Sequence, residues 1–377
     1  MKNVLITGGA GFIGSNLALK LLDRGYNVTV LDNLSPQIHG DNPELSPLYL
    51  SVKNAVRFIY GSVTDRDTFE AAIDKQDLIV HLAAQTGTGQ SMYDIKRYTD
   101  VNIGGTALML DILTNNKHNV KRVVVASSRA IYGEGKYHCE HCGDVYPLER
   151  VESDMSRGDF ECKCPVCKSP VTLVATTEES IIHPTSVYGI TKHNQESIVL
   201  TVCRAIGIDG VAMRYQNVYG PGQSLSNPYT GILSIFSTQI LNNNNINIFE
   251  DGRETRDFVF ISDVVDATIL ALEAQGAVGN AFNIGTGVAT DVVEVAKQLL
   301  SSYGSQSTFA VSGNYRLGDI RHNYADISLA GRLLGYVPKV SFEQGIDKFT
   351  SWVKQQAVCE DKYSTSIDEL KAKGLYK

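Results

Sequence analysis

The 377-residue chain lacks any apolar run long enough to span a bilayer, and its start, Met1-Lys2-Asn3 followed by VLITGG, lacks the layout of a secretion signal. No membrane association is therefore expected, and the expected compartment is the cytoplasm. An excess of positive charge is also missing. Lys and Arg number 34 against 41 Asp and Glu, a net charge of −7, which argues against a general nucleic-acid or anionic-membrane surface. Dispersed cysteines are scarce: of seven, five fall between Cys139 and Cys167. In a reducing cytoplasm such clustering points to a metal rather than to disulfides. With 43% hydrophobic and 20% charged residues, the composition is that of an ordinary globular protein, long enough to bury a large core and to hold two lobes.

What is present begins with NVLIT at 3–7, an apolar run too short for a helix and bounded by glycine, which suits a buried parallel strand. It leads into Gly8-Gly9-Ala10-Gly11-Phe12-Ile13-Gly14 and then into the helical pattern SNLALKLLDRG. Glycines at 8, 11 and 14 allow a tight turn, a close approach to a pyrophosphate, and close helix–strand packing, with the phosphates on the helix N-terminus. A second strand, YNVTVLD, ends at Asp32, where an acid can accept both hydroxyls of an adenosine ribose. This order of strand, glycine turn, helix, strand and acid predicts a dinucleotide site. With no nearby arginine for a 2′-phosphate, it favours NAD over NADP.

The run HPTSVYGITKHNQE places Tyr188 and Lys192 one helical turn apart. A phenol holds its proton to about pH 10, and a neighbouring ammonium favours the phenolate, so Tyr188 is a candidate base tuned by Lys192. The same spacing also suits a packed ring beside a solvated charge. VKRVVVASSRAIYGE reads as a strand ending at Ser127-Ser128, at the strand end where open α/β sheets bind ligands, although a capping hydroxyl would look the same.

Between Tyr132-Gly133-Glu134 and His183-Pro184 lies a cysteine-rich insert. Its two CxxC knuckles, Cys139/Cys142 and Cys164/Cys167, have the spacing of a tetrahedral zinc site, and Gly143 and Pro165 suit tight knuckle turns. Four protein ligands leave no open position, so the zinc is expected to be structural, supplying folding free energy to a segment with few apolar residues. Cys162 is a spare thiol able to exchange with Cys164, and His138 and His141 are read as bystanders. DNA binding by this ribbon is the competing use, opposed by an acidic excess across 139–161. Inserted between Ser128 and Tyr188, the ribbon is expected to fold over the substrate entrance.

TGGAGFIGSNL, together with the strand, serine and YxxxK patterns, resembles the extended short-chain dehydrogenase/reductase family of NAD-dependent nucleotide-sugar epimerases and dehydratases. The likeness runs through nearly the whole chain apart from the insert and the tail. It implies an α/β fold: a Rossmann-type doubly wound parallel sheet, a smaller C-terminal substrate lobe and the inserted zinc-ribbon-like segment. The expected division is 1–217 for the NAD-binding domain with 255–285 returning to it, 135–178 for the insert, and 218–254 plus 286–377 for the sugar-nucleotide lobe.

The same resemblance assigns residues. Gly8, Gly11, Phe12, Ile13, Gly14, Asp32 and Asn33 would hold NAD, as would Ser62 and Val63, which replace the usual acidic adenine contact. Leu82, Ala83, Ala84, Asn102, Tyr188, Lys192 and Tyr215 complete that set. Ser128, Tyr188 and Lys192 would be catalytic. Ser128, Arg129, Asn217, Asn227, Arg256, Arg316 and Asp319 would meet a nucleoside-diphosphate sugar, with Tyr229 a plausible neighbour and Asp263 capping a helix. Dehydratases place Asp and Glu directly after the serine or threonine; here Arg129 and Ala130 stand there. The pattern therefore looks most like nucleotide-sugar 4-epimerases of the dTDP-L-rhamnose and UDP-galactose kind, and a homodimer is expected. Alternatives are a dehydratase or cofactor-exchanging reductase of the same family, or a non-catalytic NAD-binding scaffold. No motif marks the chain beyond about Cys359.

Overall fold

Short apolar runs separated by helical patterns become strands of one parallel sheet, because each crossover helix returns the chain to the same sheet edge. The computed structural model describes residues 2–227, 229, 231–359, 361 and 363–377. In chain order, β1 (Asn3–Thr7), β2 (Asn27–Asp32), β3 (Arg57–Tyr60), β4 (Leu78–His81) and β5 (Arg122–Ser128) come first. The insert then contributes β6 (Tyr137–Cys139), β7 (Gly143–Val145) and β8 (Thr172–Leu173), and β9 (Asp209–Tyr215) returns to the sheet. The remaining strands are β10 (Asn217–Tyr219), β11 (Ile246–Ile248), β12 (Thr255–Arg256), β13 (Phe258–Phe260), β14 (Ala281–Ile284), β15 (Thr290–Asp291), β16 (Phe309–Val311) and β17 (His322–Asn323).

The central sheet has seven parallel strands in the order β14-β9-β5-β4-β1-β2-β3. Strand order reverses between β1 and β4, the place where doubly wound sheets open a ligand crevice. Every residue of β4 and β5 is buried, as strands covered by helices on both faces require. Alternation along β1 sends Val4 and Ile6 to one core and Leu5 to the other. Small sheets build the substrate side: β10 with β13, β11 with β16, and β12 between β15 and β17. The insert forms an antiparallel sheet of its own, β7-β6-β8. No helix of the described residues is long and apolar enough to cross a membrane.

Between Ile95 and Asn115 the chain is helical but not one regular helix. Ile95–Tyr98 passes through a π-helical turn at Thr99–Gly104 into Gly105–Asn115, and the turn carries Asn102 into the interior. Asp263 is also not a cap. It sits inside the first turn of Ile261–Glu273, where its Oδ2 accepts from the Lys339 and Val340 backbone N–H groups at 3.0 and 3.1 Å and pins a distant segment.

The glycine turn owes its shape to one close approach. A Cβ on Gly14 would lie 2.3 Å from the Gly8 carbonyl oxygen and 2.6 Å from the Gly9 Cα, both backbone atoms unable to swing aside. Gly14→Ala is therefore expected to cost about 1–3 kcal/mol. It should lower the denaturant midpoint at unchanged slope, and an unchanged midpoint would show that the turn opens freely.

Candidate active site

A cavity of about 580 Å³ lies over the C-terminal ends of the parallel strands and beneath the smaller sheets, within the range of small-molecule sites. Its floor is the glycine turn. The helix Phe12–Asp23 begins there with no side-chain cap at Gly11, so its first-turn N–H groups are left for an anion. A Cβ on Gly11 would meet only the Gly8 carbonyl oxygen, at 3.2 Å, its other side being open. Phe12, Ile13, Asn33, Ser62 and Val63 line this end, and Leu82, Ala83 and Ala84 line the wall after β4.

Asp32 closes the far end. Its carboxylate accepts from the Ala10 N–H at 3.0 Å and the Leu34 N–H at 2.9 Å, and lies 3.9 Å from His39 Nε2. Burial raises the Asp32 pKa, while the Leu34 N–H and His39 act to lower it. His39 was invisible as a partner in sequence, being seven residues away across a loop. Its Nδ1 bonds Ser46 Oγ at 2.8 Å, and burial lowers its pKa.

The reacting end is organised by β5 and the helix Val187–Ile206. Ser186 caps that helix, its Oγ accepting from the Gly189 N–H at 3.1 Å, and Gly207 ends it in the left-handed region. Tyr188 therefore projects from the first turn into the cavity, where Ser128 lines the same wall and acts to lower its pKa. Its backbone N–H donates to Ser91 Oγ at 3.0 Å, and Tyr98 packs edge-on at 6.5 Å between ring centres.

The expected tuning by Lys192 is not what this geometry shows. Lys192 Nζ donates to the Ala126 carbonyl at 2.9 Å and stands 6.0 Å from the Tyr188 ring centre. Burial raises the Tyr188 pKa, opposed by the Ser128 hydrogen bond and by the charge of Arg129, not of Lys192. The lysine is itself buried, which pulls its pKa down to about 7.

Arg129 spans towards the substrate side, its Nε donating to Asn217 Oδ1 at 2.6 Å. Burial and then the like charge of Arg256 lower its pKa. Arg256 and Arg316 also line the cavity, and Asp319 pairs with Arg316 at 2.6 Å. Three cations thus face one cavity, an arrangement that an anionic ligand would relieve.

Two expected contacts are displaced. Asn102 does not reach the cavity, because its amide is spent on Gln85 N–H and C=O and on Thr191 Oγ1, at 2.7, 3.1 and 2.9 Å. It fixes the loop after β4 from behind. Asn227 is buried, its Oδ1 accepting from the Tyr229 N–H at 3.1 Å, and Tyr229 rather than Asn227 faces the cavity. Tyr215 lines the wall with its ring, its hydroxyl bonded to Thr268 at 2.8 Å. No residue of 135–178 lines this cavity, although Glu149, Arg150, Glu152 and Met155 of the insert line a smaller neighbouring one that shares Thr185, Gly318 and Asp319 with it.

Residues without a sequence signal do line it. Glu254 stands in the wall with Oε2 lacking a hydrogen-bond partner, its pKa pushed up to about 7 by burial. The tail contributes Tyr363, whose hydroxyl accepts from Asn247 Nδ2 at 3.0 Å. On its helix Tyr363–Ala372, Glu369 Oε2 accepts from the Tyr93 and Tyr229 hydroxyls at 2.9 and 2.5 Å, joining the two sides of the cavity.

Comparison with known proteins decides the family. A model of the "NAD dependent epimerase/dehydratase family" matches residues 4–150 and 165–285. The chain belongs to this family. A dTDP-L-rhamnose 4-epimerase of Burkholderia thailandensis is 36% identical over 357 residues, 94% of this chain and 96% of the relative. A UDP-glucose 4-epimerase of Mycolicibacterium smegmatis is 30% identical over 94% of this chain and 99% of its own. Among solved structures, the UDP-glucose 4-epimerase of Thermotoga maritima with UDP-glucose gives a TM-score of 0.74 at 30% identity, covering 94% of this chain and 99% of that one. The UDP-glucuronic acid 4-epimerase of Bacillus cereus, in complex with UDP-glucuronic acid and NAD, gives 0.75 at 26% identity with the same coverage.

The epimerase/dehydratase family model passes over 151–164, which lies within the insert. There Cys139, Cys142, Cys164 and Cys167 bring their sulfurs within 4.8 Å of one another, with Cys139 and Cys167 at 3.6 Å. Four thiolates about 2.3 Å from one zinc ion would stand about 3.8 Å apart, so this donor set fits. Cys162 is excluded from the cluster and buried, and its burial and then the charge of Glu134 raise its pKa.

The buried Lys192 carries a testable pH dependence. Between about 7 and its ordinary 10.5 the unfolded chain holds a proton that the native, cofactor-free protein has given up. Stability should therefore rise with pH across that window. Lys192→Met should flatten the rise in the denaturation midpoint; equal slopes in the two proteins would show that another group carries it.

Proposed function

We propose that the protein is an NAD-dependent nucleotide-sugar epimerase that inverts C4 of a nucleoside-diphosphate hexose. The observation that carries this reading is that Ser128 and Tyr188 line one end of the dinucleotide crevice together, the serine acting to lower the tyrosine's pKa, with Arg129 and Ala130 where a dehydratase would need its acid and base. The uncapped helix at Gly11 and the buried Asp32 fit the pyrophosphate and adenosine ribose of NAD. NAD, when bound, supplies hydride acceptance from C4 and hydride return to the other face of the sugar.

The chain's own groups handle the proton and the charge. Tyr188 takes the proton of the 4-hydroxyl and later gives it back, which requires the phenolate and so favours higher pH. Ser128 holds the C4 oxygen through both states. The charge of Arg129 offsets part of the burial that raises the phenol's pKa, and a bound nicotinamide cation would act in the same direction. Lys192 is within reach of the nicotinamide ribose once it leaves the Ala126 carbonyl. Arg256 and Arg316 take the diphosphate, and Asp319 a ribose hydroxyl. The cofactor lobe is assigned to 1–217 with 255–285, and the sugar-nucleotide lobe to 218–254 with 286–377.

Zinc in the insert is a separate part of the proposal, supported by the four converging sulfurs and their closed donor set. It would be structural. The four converging cysteine sulfurs of the insert support a reducing cytoplasm as the compartment, where clustered thiols serve metal rather than disulfides. A homodimer is supported by Ile95 and Ile190, 52% and 46% exposed on neighbouring helices.

Tyr188→Phe should lower kcat by about 10²–10⁴-fold while leaving bound NAD in place. Near-normal turnover would remove Tyr188 from the chemistry. Incubation with UDP-, dTDP-, GDP- and CDP-hexoses, read by NMR, should show interconversion of 4-epimers with no net NADH. Net NADH would point to a cofactor-exchanging dehydrogenase instead. Metal analysis should find one zinc per chain, and Cys164→Ser should lose it and expose 135–178 to protease. Full protection of that segment in metal-free protein would contradict the zinc assignment.

A further inference from the structure

The insert contributes no wall to the cavity, yet it is tied to the substrate side through buried charges. Arg150, whose guanidinium is 4% exposed, pairs with Glu250 at 2.8 Å and donates to the Asp319 carbonyl at 2.8 Å. Glu161 Oε1 accepts from Arg321 Nε at 3.0 Å and Nη2 at 2.6 Å, and its Oε2 lies 3.2 Å from His322 Nε2. Arg321 is fully buried and also pairs with Glu250 and Asp251, at 2.9 and 2.7 Å. Its backbone N–H donates to Glu134 Oε2 at 2.7 Å, immediately before the insert.

This clamped segment is what holds Arg256. The Arg256 guanidinium donates to the Arg321 carbonyl at 2.9 Å, the Ile320 carbonyl at 2.7 Å and the Thr255 carbonyl at 2.8 Å. All three acceptors are neutral main-chain oxygens, so the guanidinium keeps its full charge for a ligand while its position is fixed. The Arg321 carbonyl belongs to the residue that Glu161 and Glu134 hold, the Ile320 carbonyl to the peptide group whose N–H Glu134 accepts, and Arg150 fixes Asp319, the partner of Arg316, through its carbonyl.

We propose that the cysteine insert is a strut for the diphosphate site. Glu161 and Arg150 are positioning residues that set Ile320–Arg321, and through those carbonyls Arg256, against the nucleotide diphosphate of the substrate. The inference rests on the reading of Arg256 as a diphosphate ligand. It gives the insert a role in substrate affinity rather than in covering the entrance or in the hydride step.

The test is a double-mutant cycle on the full-length holoenzyme, with KM, kcat, NAD content and zinc content measured for each protein. Glu161→Ala should raise the KM for the nucleotide sugar about tenfold, the scale of one lost charge-assisted hydrogen bond, with kcat changed less than about twofold and NAD content unchanged. Glu161→Gln, which keeps an acceptor for Arg321, should recover about half of that loss on a logarithmic scale. In an Arg256→Ala background the Glu161→Ala effect on KM should fall below about twofold. An unchanged KM, a loss confined to kcat, or a full further tenfold rise in the Arg256→Ala background would each overturn the strut. Arg256→Ala alone leaving KM unchanged would instead overturn the diphosphate reading. Should Glu161→Ala lose its zinc, Glu161→Gln carries the same cycle, with a rise of about threefold that must vanish without Arg256.

Discussion

The parallel register of the central sheet is the constraint on which the site depends. Because all seven strands run the same way, their C-terminal ends gather on one edge, and residues far apart in sequence arrive together there. Thr7 pairs in register with His81 and Leu31, and Ser128 with Tyr215. The glycine turn, Asp32, the small residues after β4 and the reacting serine are therefore consequences of one hydrogen-bond pattern. Buried polar links lock the edge: Thr7 Oγ1 bonds His81 Nδ1 at 2.8 Å, and His81 Nε2 bonds Thr106 Oγ1 at 3.0 Å. Burial holds His81 neutral, pulling its pKa down to about 3, so this link carries no charge beside the cofactor floor.

Burial also sets the electrostatic state of the resting site. It raises the phenol of Tyr188, lowers the ammonium of Lys192 and raises the carboxyl of Glu254, each shift disfavouring the charged form. Arginine resists such neutralisation because its unperturbed pKa is so high, so Arg129 remains a cation although burial lowers its pKa. An anionic nucleotide and a cationic nicotinamide ring complement that arrangement, the first by meeting the guanidiniums and the second by favouring the phenolate.

The insert shows how a segment can matter to a site it does not touch. Its own sheet is small, and its core is little more than Tyr137, Val145 and the cysteines. A module with so little apolar surface leans on ion pairs for its docking. Arg150 and Glu250 are buried on both sides of their pair, whereas Glu161 reaches the buried Arg321 from a side chain that is 55% exposed.

The order strand–glycine turn–helix–strand–Asp32, the YxxxK helix and the two CxxC knuckles were legible in the chain, since each rests on local spacing that backbone geometry converts directly into shape. The Ser128–Tyr188 pairing was legible too, through likeness to a family rather than through any local rule. Asn102, Asn227 and Asp263 could not be placed from sequence, because whether a polar side chain faces a cavity or a neighbouring loop depends on what packs against it. Nor could the tuning of Tyr188, where four residues of spacing put Lys192 nearby but the Ala126 carbonyl took its ammonium. The amino-acid sequence by itself thus determined the elements and their order. Only the tertiary structure decided which charges meet, bringing Glu161 to Arg321 across 160 positions and Tyr363 to the cavity wall, because long-range contacts follow from packing and not from spacing.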